Sequence, residues 1–160
     1  KNKNQMQAVE ILKNTKVFKN TLLVLWGREV DNGEVRRKIV EYQLHKNVIL
    51  GGFNDQMDIF WKFCDINLFL SLNDGFGLPI VEGYMHGVPC VTFEDLDATQ
   101  DLYYPEAMLK VKDRSIESVA NALRTSLDKN WNHEEIAEIG NMFSIDSMSE
   151  KYVNWYRTLI

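Results

Sequence analysis

The sequence predicts an α/β domain built on a doubly wound, mostly parallel sheet flanked by helices. Three observations carry this expectation. Short, continuously apolar runs of the kind that buried parallel strands show alternate with stretches whose apolar residues recur at helical spacing. A turn follows the end of three of these runs: Gly27 after 21–26, Gly51-Gly52 after 47–50, and the stretch 71–77 after 66–70. The chain is 160 residues long and 45% apolar, which suits one domain, spanning 1–160, with a substantial core. Strand and helix signals in strict alternation are the mark of a sheet with helical crossovers.

The elements follow in order. Residues 6–14 read as a helix with Ala8, Ile11 and Leu12 on one face, and 21–26 as a buried strand. Asp31 and Glu34 stand in the D-x-x-E relation of a capping box. They open a helix that carries Val35, Ile39 and Tyr42. A short strand over 47–50 is closed by Gly51-Gly52. Met57, Phe60, Trp61 and Cys64 recur as on one helical face. The strand 66–70, a loop, a helix from Pro79 to Gly87 and a strand over 88–93 come next. Residues 94–104 show no clear period. A last strand is expected over 108–111. Asp113 is placed to cap a helix bearing Ile116, Val119, Ala120, Leu123 and Leu127. The capping-box pattern recurs at 132–135, opening a short helix to Ile139, and at 147–150. The latter opens a terminal helix with Met148, Tyr152, Trp155, Tyr156 and Leu159 on one face.

Composition narrows the function. A net charge of −5 argues against a duplex nucleic-acid surface, which needs a basic stripe. No apolar run approaches transmembrane length. Cys64 and Cys90 lie in apolar segments and read as reduced core residues of a cytoplasmic protein. His45, His86 and His133 have no ligand spacing, so no metal site is expected. The chain opens at Lys1 within a helical pattern, as a fragment of a longer chain would. A dinucleotide fingerprint is missing, because Gly27 is not followed by G-x-G-x-x-G.

The stretch 71–82, Ser-Leu-Asn-Asp-Gly-Phe-Gly-Leu-Pro-Ile-Val-Glu, is the most informative. It reads as strand end, glycine-bearing loop and helix N-terminus. Pro79 suits a first helical position because its missing N–H would be unpaired there anyway. Bared N–H groups at such a terminus attract anions. Gly75 and Gly77 allow a ligand to approach the backbone without a Cβ between. Asp74 and Glu82 flank this surface and offer acceptors to hydroxyl groups. Taken singly, Asp-Gly marks only a turn, and a first-turn Glu only complements the helix dipole. Together they suit a ligand carrying both phosphate and hydroxyls, such as a sugar joined to a nucleoside diphosphate. Open α/β sheets bind ligands at the carboxyl ends of their strands, where Gly27, Gly51-Gly52 and 71–77 all fall.

The string resembles the signature of the retaining glycosyltransferases of family 4, which have the GT-B architecture: two Glu residues separated by seven others, with Gly-Phe-Gly-Leu-Pro between them. The spacing is kept from Asp74 to Glu82, and Gly75, Phe76, Gly77, Leu78 and Pro79 all match. Gly87-Val88-Pro89 matches the Gly-x-Pro that ends the family's following helix. The first Glu is replaced by Asp74.

This resemblance implies a Rossmann-like, donor-binding half of a two-domain enzyme, with the N-terminal acceptor domain not in this chain. By the same resemblance Glu82 holds the nucleotide's ribose hydroxyls, and Asp74 touches the donor sugar near the reacting carbon. The backbone of Gly75, Phe76, Gly77 and Leu78 meets sugar and diphosphate, and Leu50 and Gly51 meet the base. Gly27 matches the first Gly of a Gly-x-Gly turn whose second Gly is Glu29 here. Lys3 stands near the register of a diphosphate-binding Lys, and Gln100 near a Glu that the family places after its fourth strand. The implied activity is retaining hexosyl transfer, in carbohydrate biosynthesis, from a nucleotide-diphosphate sugar to a sugar, lipid-linked or polysaccharide acceptor. No metal or cofactor is implied. The isolated domain would be inactive. The full-length protein would be cytoplasmic, with peripheral association at the inner membrane face open to it. An epimerase-like GT-B domain and a non-catalytic nucleotide-binding module are the alternatives.

Overall fold

The computed structural model describes residues 2–14, 20–28 and 32–159. Its elements run α1 (Gln5–Asn14), β1 (Leu23–Trp26), α2 (Glu34–Glu41), β2 (Val48–Gly52), α3 (Met57–Trp61), β3 (Asn67–Phe69) and α4 (Leu78–Met85). They continue with β4 (Cys90–Phe93), α5 (Ala98–Asp101), β5 (Met108–Val111), α6 (Ile116–Asp128), α7 (His133–Asn141) and α8 (Ile145–Arg157). All strand pairings among the described residues are parallel, so the expected α/β architecture holds. The hydrogen-bonded ladder is in two pieces rather than one: β1 pairs with β2, and β4 lies between β3 and β5.

Burial follows the apolar pattern. Every residue of β4 is buried, and Cys90, Val91, Thr92 and Phe93 have no exposed surface. A strand covered on both faces has no solvent side on which to alternate, hence the unbroken run. Helix α6 packs on β4 and β5, and α4 on β3 and β4. Helix α1 contacts both α2 and α6, while α4 and α7 form the other intimate helix pair. The α4–α7 contact is made possible by Gly140: a Cβ there would lie 2.2 Å from the Met85 nitrogen and 2.5 Å from the Tyr84 carbonyl carbon.

Several boundaries differ from expectation, each for a local reason. Gly51 and Gly52 belong to β2 rather than closing it. The register slips so that Trp26 faces Gly52, a bulge that leaves Gly51 beneath the Trp26 ring. Helix α2 starts after Gly33 in the left-handed region with no side-chain cap, and Asp31 lies outside the described residues. Helix α3 has only five residues and ends in tighter turns, the Phe63 amide donating to the Phe60 carbonyl at 3.0 Å and the Cys64 amide to the Trp61 carbonyl at 3.1 Å. Ser115, not Asp113, caps α6; Asp113 supports it by accepting from the Ser115 amide at 2.8 Å and from the Ser118 hydroxyl at 2.5 Å. The Ser115 side chain, then the Ser118 hydroxyl and the Ser115 amide, hold the Asp113 carboxyl below its ordinary range. Asn132 caps α7 as expected. Helix α8 begins three residues early, capped by Ser144, while the Ser147 hydroxyl turns back to the Met142 carbonyl. The aperiodic stretch holds the short α5, with Leu96, Ala98 and Leu102 buried.

Candidate functional site

The site is built around the connection from β3 to α4. Helix α4 is anchored by Ile80, Val81 and Tyr84, all buried, and by the Tyr84 hydroxyl, which donates to the Leu102 carbonyl at 3.1 Å. Asn67 in β3 fixes the start of the same helix by donating to the Pro79 carbonyl at 2.8 Å. Leu78 is the first helical residue and Pro79 the second, one position later than the sequence suggests. Gly77 precedes them at φ 81°, a conformation that favours glycine. A Cβ on Gly77 would meet Ala98 Cβ and Ile80 Cδ1, each at 3.0 Å. Its bare face therefore serves packing against the core. Gly75 behaves differently: a Cβ there would meet nothing within 4 Å. The open approach expected of both glycines is found at Gly75 alone.

Asp74 folds back over this turn. One carboxylate oxygen accepts from the Gly77 amide at 3.0 Å, and the other pairs with the Lys3 ammonium. Partial burial pushes the Asp74 carboxyl up, but the Lys3 hydrogen bond and charge, with the amides of Gly77 and Phe76, outweigh it. The net shift is below the ordinary carboxylate range. Lys3 is held there by its neighbour Asn2. The Leu72 amide donates to the Asn2 carbonyl at 2.8 Å, and the Asn2 side chain donates to the Asn73 carbonyl at 2.8 Å. This corrects one expectation. The loop amides are not all bared, because Asp74 already occupies that of Gly77. Among the described residues, the amide of Leu78 is left without a partner.

Glu82 lies one turn into α4 and is exposed; among the described residues its carboxylate makes no ion pair or hydrogen bond. Phe76 is also exposed, its ring set edge-on to Phe143 at 6.5 Å, which leaves the loop backbone uncovered by it.

A second group forms at the ends of β1 and β2. A crevice of about 120 Å³ is lined by Gln5, Gly27, Arg28, Arg36, Leu50 and Gly52, among others. Gly27, at φ 113°, closes the ladder by donating to the Gly52 carbonyl at 2.8 Å. Gly51 sits against the Trp26 ring, not at the mouth. The Gln5 side chain reaches the Trp26 carbonyl at 3.4 Å. Because Asn2 binds the β3 end and Gln5 the β1 end, three peptide steps, at most about 11 Å, tie the two groups together. The structure thus brings Lys3, Asp74, Gly75, Gly77 and Leu78 into one cluster and Gly27 and Leu50 into a neighbouring crevice. Gln100 is exposed on α5, and Glu29 lies outside the described residues.

Comparison with known proteins gives the family and the fold. The family model for glycosyl transferases group 1 matches residues 1–141. The chain belongs to the glycosyl transferases group 1 family. A curated relative, the poly(glycerol-phosphate) alpha-glucosyltransferase of Bacillus subtilis, is 24% identical over 131 residues. That match takes in 81% of this chain and 19% of the relative. Two solved structures share the fold. A glycosyltransferase from Rickettsia africae superposes with a TM-score of 0.85 at 17% identity, over 99% of this chain and 45% of that one. HepE from Anabaena, in complex with UDP, superposes with a TM-score of 0.80 at 17% identity, over 98% and 46%. The chain therefore spans about a fifth of that relative and under half of each structure, and its fold is the Rossmann-like one of GT-B proteins.

Within this glycosyl transferases group 1 domain, sequence reasoning missed Asn2, Gln5, Arg28 and Arg36. Asn2 acts through its backbone carbonyl and a side-chain bond to a residue 71 positions away, and neither leaves a local sequence signal. Arg28 and Arg36 could have been flagged as cations following a predicted strand end and along the next predicted helix. Among the described residues there is no cluster of three or more metal-ligating side chains, and no helix is long and apolar enough to cross a membrane.

Proposed function

We propose that this domain binds the nucleotide-sugar donor of a retaining glycosyltransferase, of the family 4 kind, and that the acceptor is held by a partner domain of the full-length protein. The observation that carries the reading is the pairing of Lys3 with Asp74 on a turn that also presents the Leu78 amide and, one helical turn on, the unengaged Glu82. A cation and a helix terminus stabilise a departing diphosphate. Two carboxylates take sugar and ribose hydroxyls. HepE binds UDP on the same fold, which supports a nucleotide diphosphate as the common element of the donor.

In this mechanism the glycosidic bond to the diphosphate breaks through an oxocarbenium-like state, and the acceptor hydroxyl arrives on the face the diphosphate leaves, its oxygen bonding to the anomeric carbon as its proton passes to the departing diphosphate oxygen. Lys3 and the α4 terminus supply the charge stabilisation that a metal would otherwise provide. Asp74 orients the sugar rather than taking a proton. Its side chain is about 1.5 Å shorter in reach than a Glu, which selects for a hydroxyl close to the loop. Retention from an α-linked donor yields an α-glycoside, the linkage in the name of the Bacillus relative. The carboxyl ends of β1 and β2 take the base. The apolar face of α8, with Met148, Tyr152, Trp155 and Tyr156 all exposed, is the surface offered to the partner domain.

The test is binding of UDP, ADP, GDP and their glucose conjugates to the full-length protein by calorimetry, with Glu82→Gln alongside. The expected result is about a tenfold loss of nucleotide affinity in Glu82→Gln, a single charged hydrogen bond's worth. That loss disappears with a 2′,3′-dideoxy nucleotide. Absence of any nucleotide affinity in the wild-type protein overturns the reading.

A further inference from the structure

We infer that the Lys3–Asp74 ion pair makes this site discriminate a nucleotide sugar from the free nucleoside diphosphate. The inference rests on the donor-binding reading above and deepens it. In the ligand-free fold the Lys3 ammonium is spent on Asp74, while the second Asp74 oxygen accepts from Gly77. A diphosphate arriving at the α4 terminus competes for the same ammonium. The backbone of Lys3 cannot follow it far, because Asn2 is tied to Leu72 and Asn73. The exchange is therefore a swing of one side chain that is 57% exposed.

The consequence falls on Asp74, whose side chain is only 17% exposed. Once Lys3 turns to the phosphates, one Asp74 oxygen loses its cation and stands beside the arriving negative charge, and like charges brought together without a cation between them are costly. A sugar hydroxyl donating to that oxygen offsets the loss. Free nucleoside diphosphate carries only its ribose hydroxyls, which lie toward Glu82, and bears the loss at Asp74 uncompensated. The pair thus raises the free energy of the product-like complex more than that of the donor complex. The open space in front of Gly75 is where the sugar would lie to make this contact.

This predicts a sign that a merely structural Asp74 would not give. In the full-length enzyme, Asp74→Asn frees Lys3 and tightens binding of the free nucleoside diphosphate by several-fold. The glucose conjugate of the same nucleotide does not tighten, so the ratio of the two Kd values moves by about tenfold. The wider shift corresponds to one charged hydrogen bond. In Lys3→Met the Asp74→Asn change no longer tightens the diphosphate, a non-additivity that marks the two residues as one unit. Titrations of UDP, ADP and GDP with their glucose conjugates against the wild type and the two single and one double variant read this out, with thermal melts confirming that each folds. Equal weakening of both ligand classes in Asp74→Asn, or a tightening that persists in the Lys3→Met background, overturns the inference while leaving nucleotide binding intact. Loss of all nucleotide binding in the wild type overturns the donor-binding reading and this inference with it.

Discussion

The half of the domain around β3, β4 and β5 and the half around β1 and β2 are built to different densities. In the first, Cys90, Val91, Phe93, Ile80 and Tyr84 have no exposed surface. In the second, Leu25 and Val48 are the buried strand residues, while Ile49 and the neighbouring Phe53, Ile59 and Phe63 are 46%, 67%, 50% and 83% exposed. In the dense half Gly77 and Gly87, on either side of α4, are packed closely, against Ala98 and Ile80 and against the His133 backbone respectively. The looser half leaves room between strand ends, which is where the crevice forms. On the donor-binding reading proposed above, the packed strand end would grip charged groups and the open one would admit a flat base.

The largest expected effect breaks the dense half at its tightest point. Gly140→Ala places a methyl against the backbone of Tyr84 and Met85, which cannot yield as a side chain could. Overpacking of this kind costs about 3 kcal/mol or more. Urea denaturation should show α4 and α7 lost together, and a stability within about 0.5 kcal/mol of wild type would refute the tight-contact account. Next comes Gly77→Ala, expected to cost about 1–3 kcal/mol from its left-handed backbone and its contacts with Ala98 and Ile80. Gly75→Ala, two residues away in the same loop but facing open space, should stay within about 1 kcal/mol on the same assay. Equal costs at the two glycines would erase the distinction drawn between them. The smallest effect belongs to the loose half: Ile49→Thr, on an exposed strand face, should change stability by about 0.5 kcal/mol or less.

Much of this was legible in the residues because it depends on spacing within one segment. The alternation of apolar runs and amphipathic stretches gave β1 to β5 and the principal helices to within a few residues. The cap at Asn132 lies within three residues of the group it satisfies, and it was found. The caps at Ser115 and Ser144 were misplaced because several Ser and Asp candidates stand in succession, and only the folded backbone chooses among them. The cut of the ladder into two pieces, the bulge at Gly51 and the ion pair joining residues 71 positions apart in sequence were out of reach. Each is a contact between segments whose separate patterns are silent about one another.

The chain's own order of residues therefore determined the α/β class, the strand-to-helix turn at 71–82 and the two acids that flank it, because local sterics and periodicity suffice for these. Which loop amides stay open, which glycine faces open space and which packs the core, and what Lys3 touches were decided only in the folded molecule. Those properties are set by atoms brought together from distant segments, where a shift of an ångström decides whether an amide is taken by a neighbouring carboxylate or left for a guest.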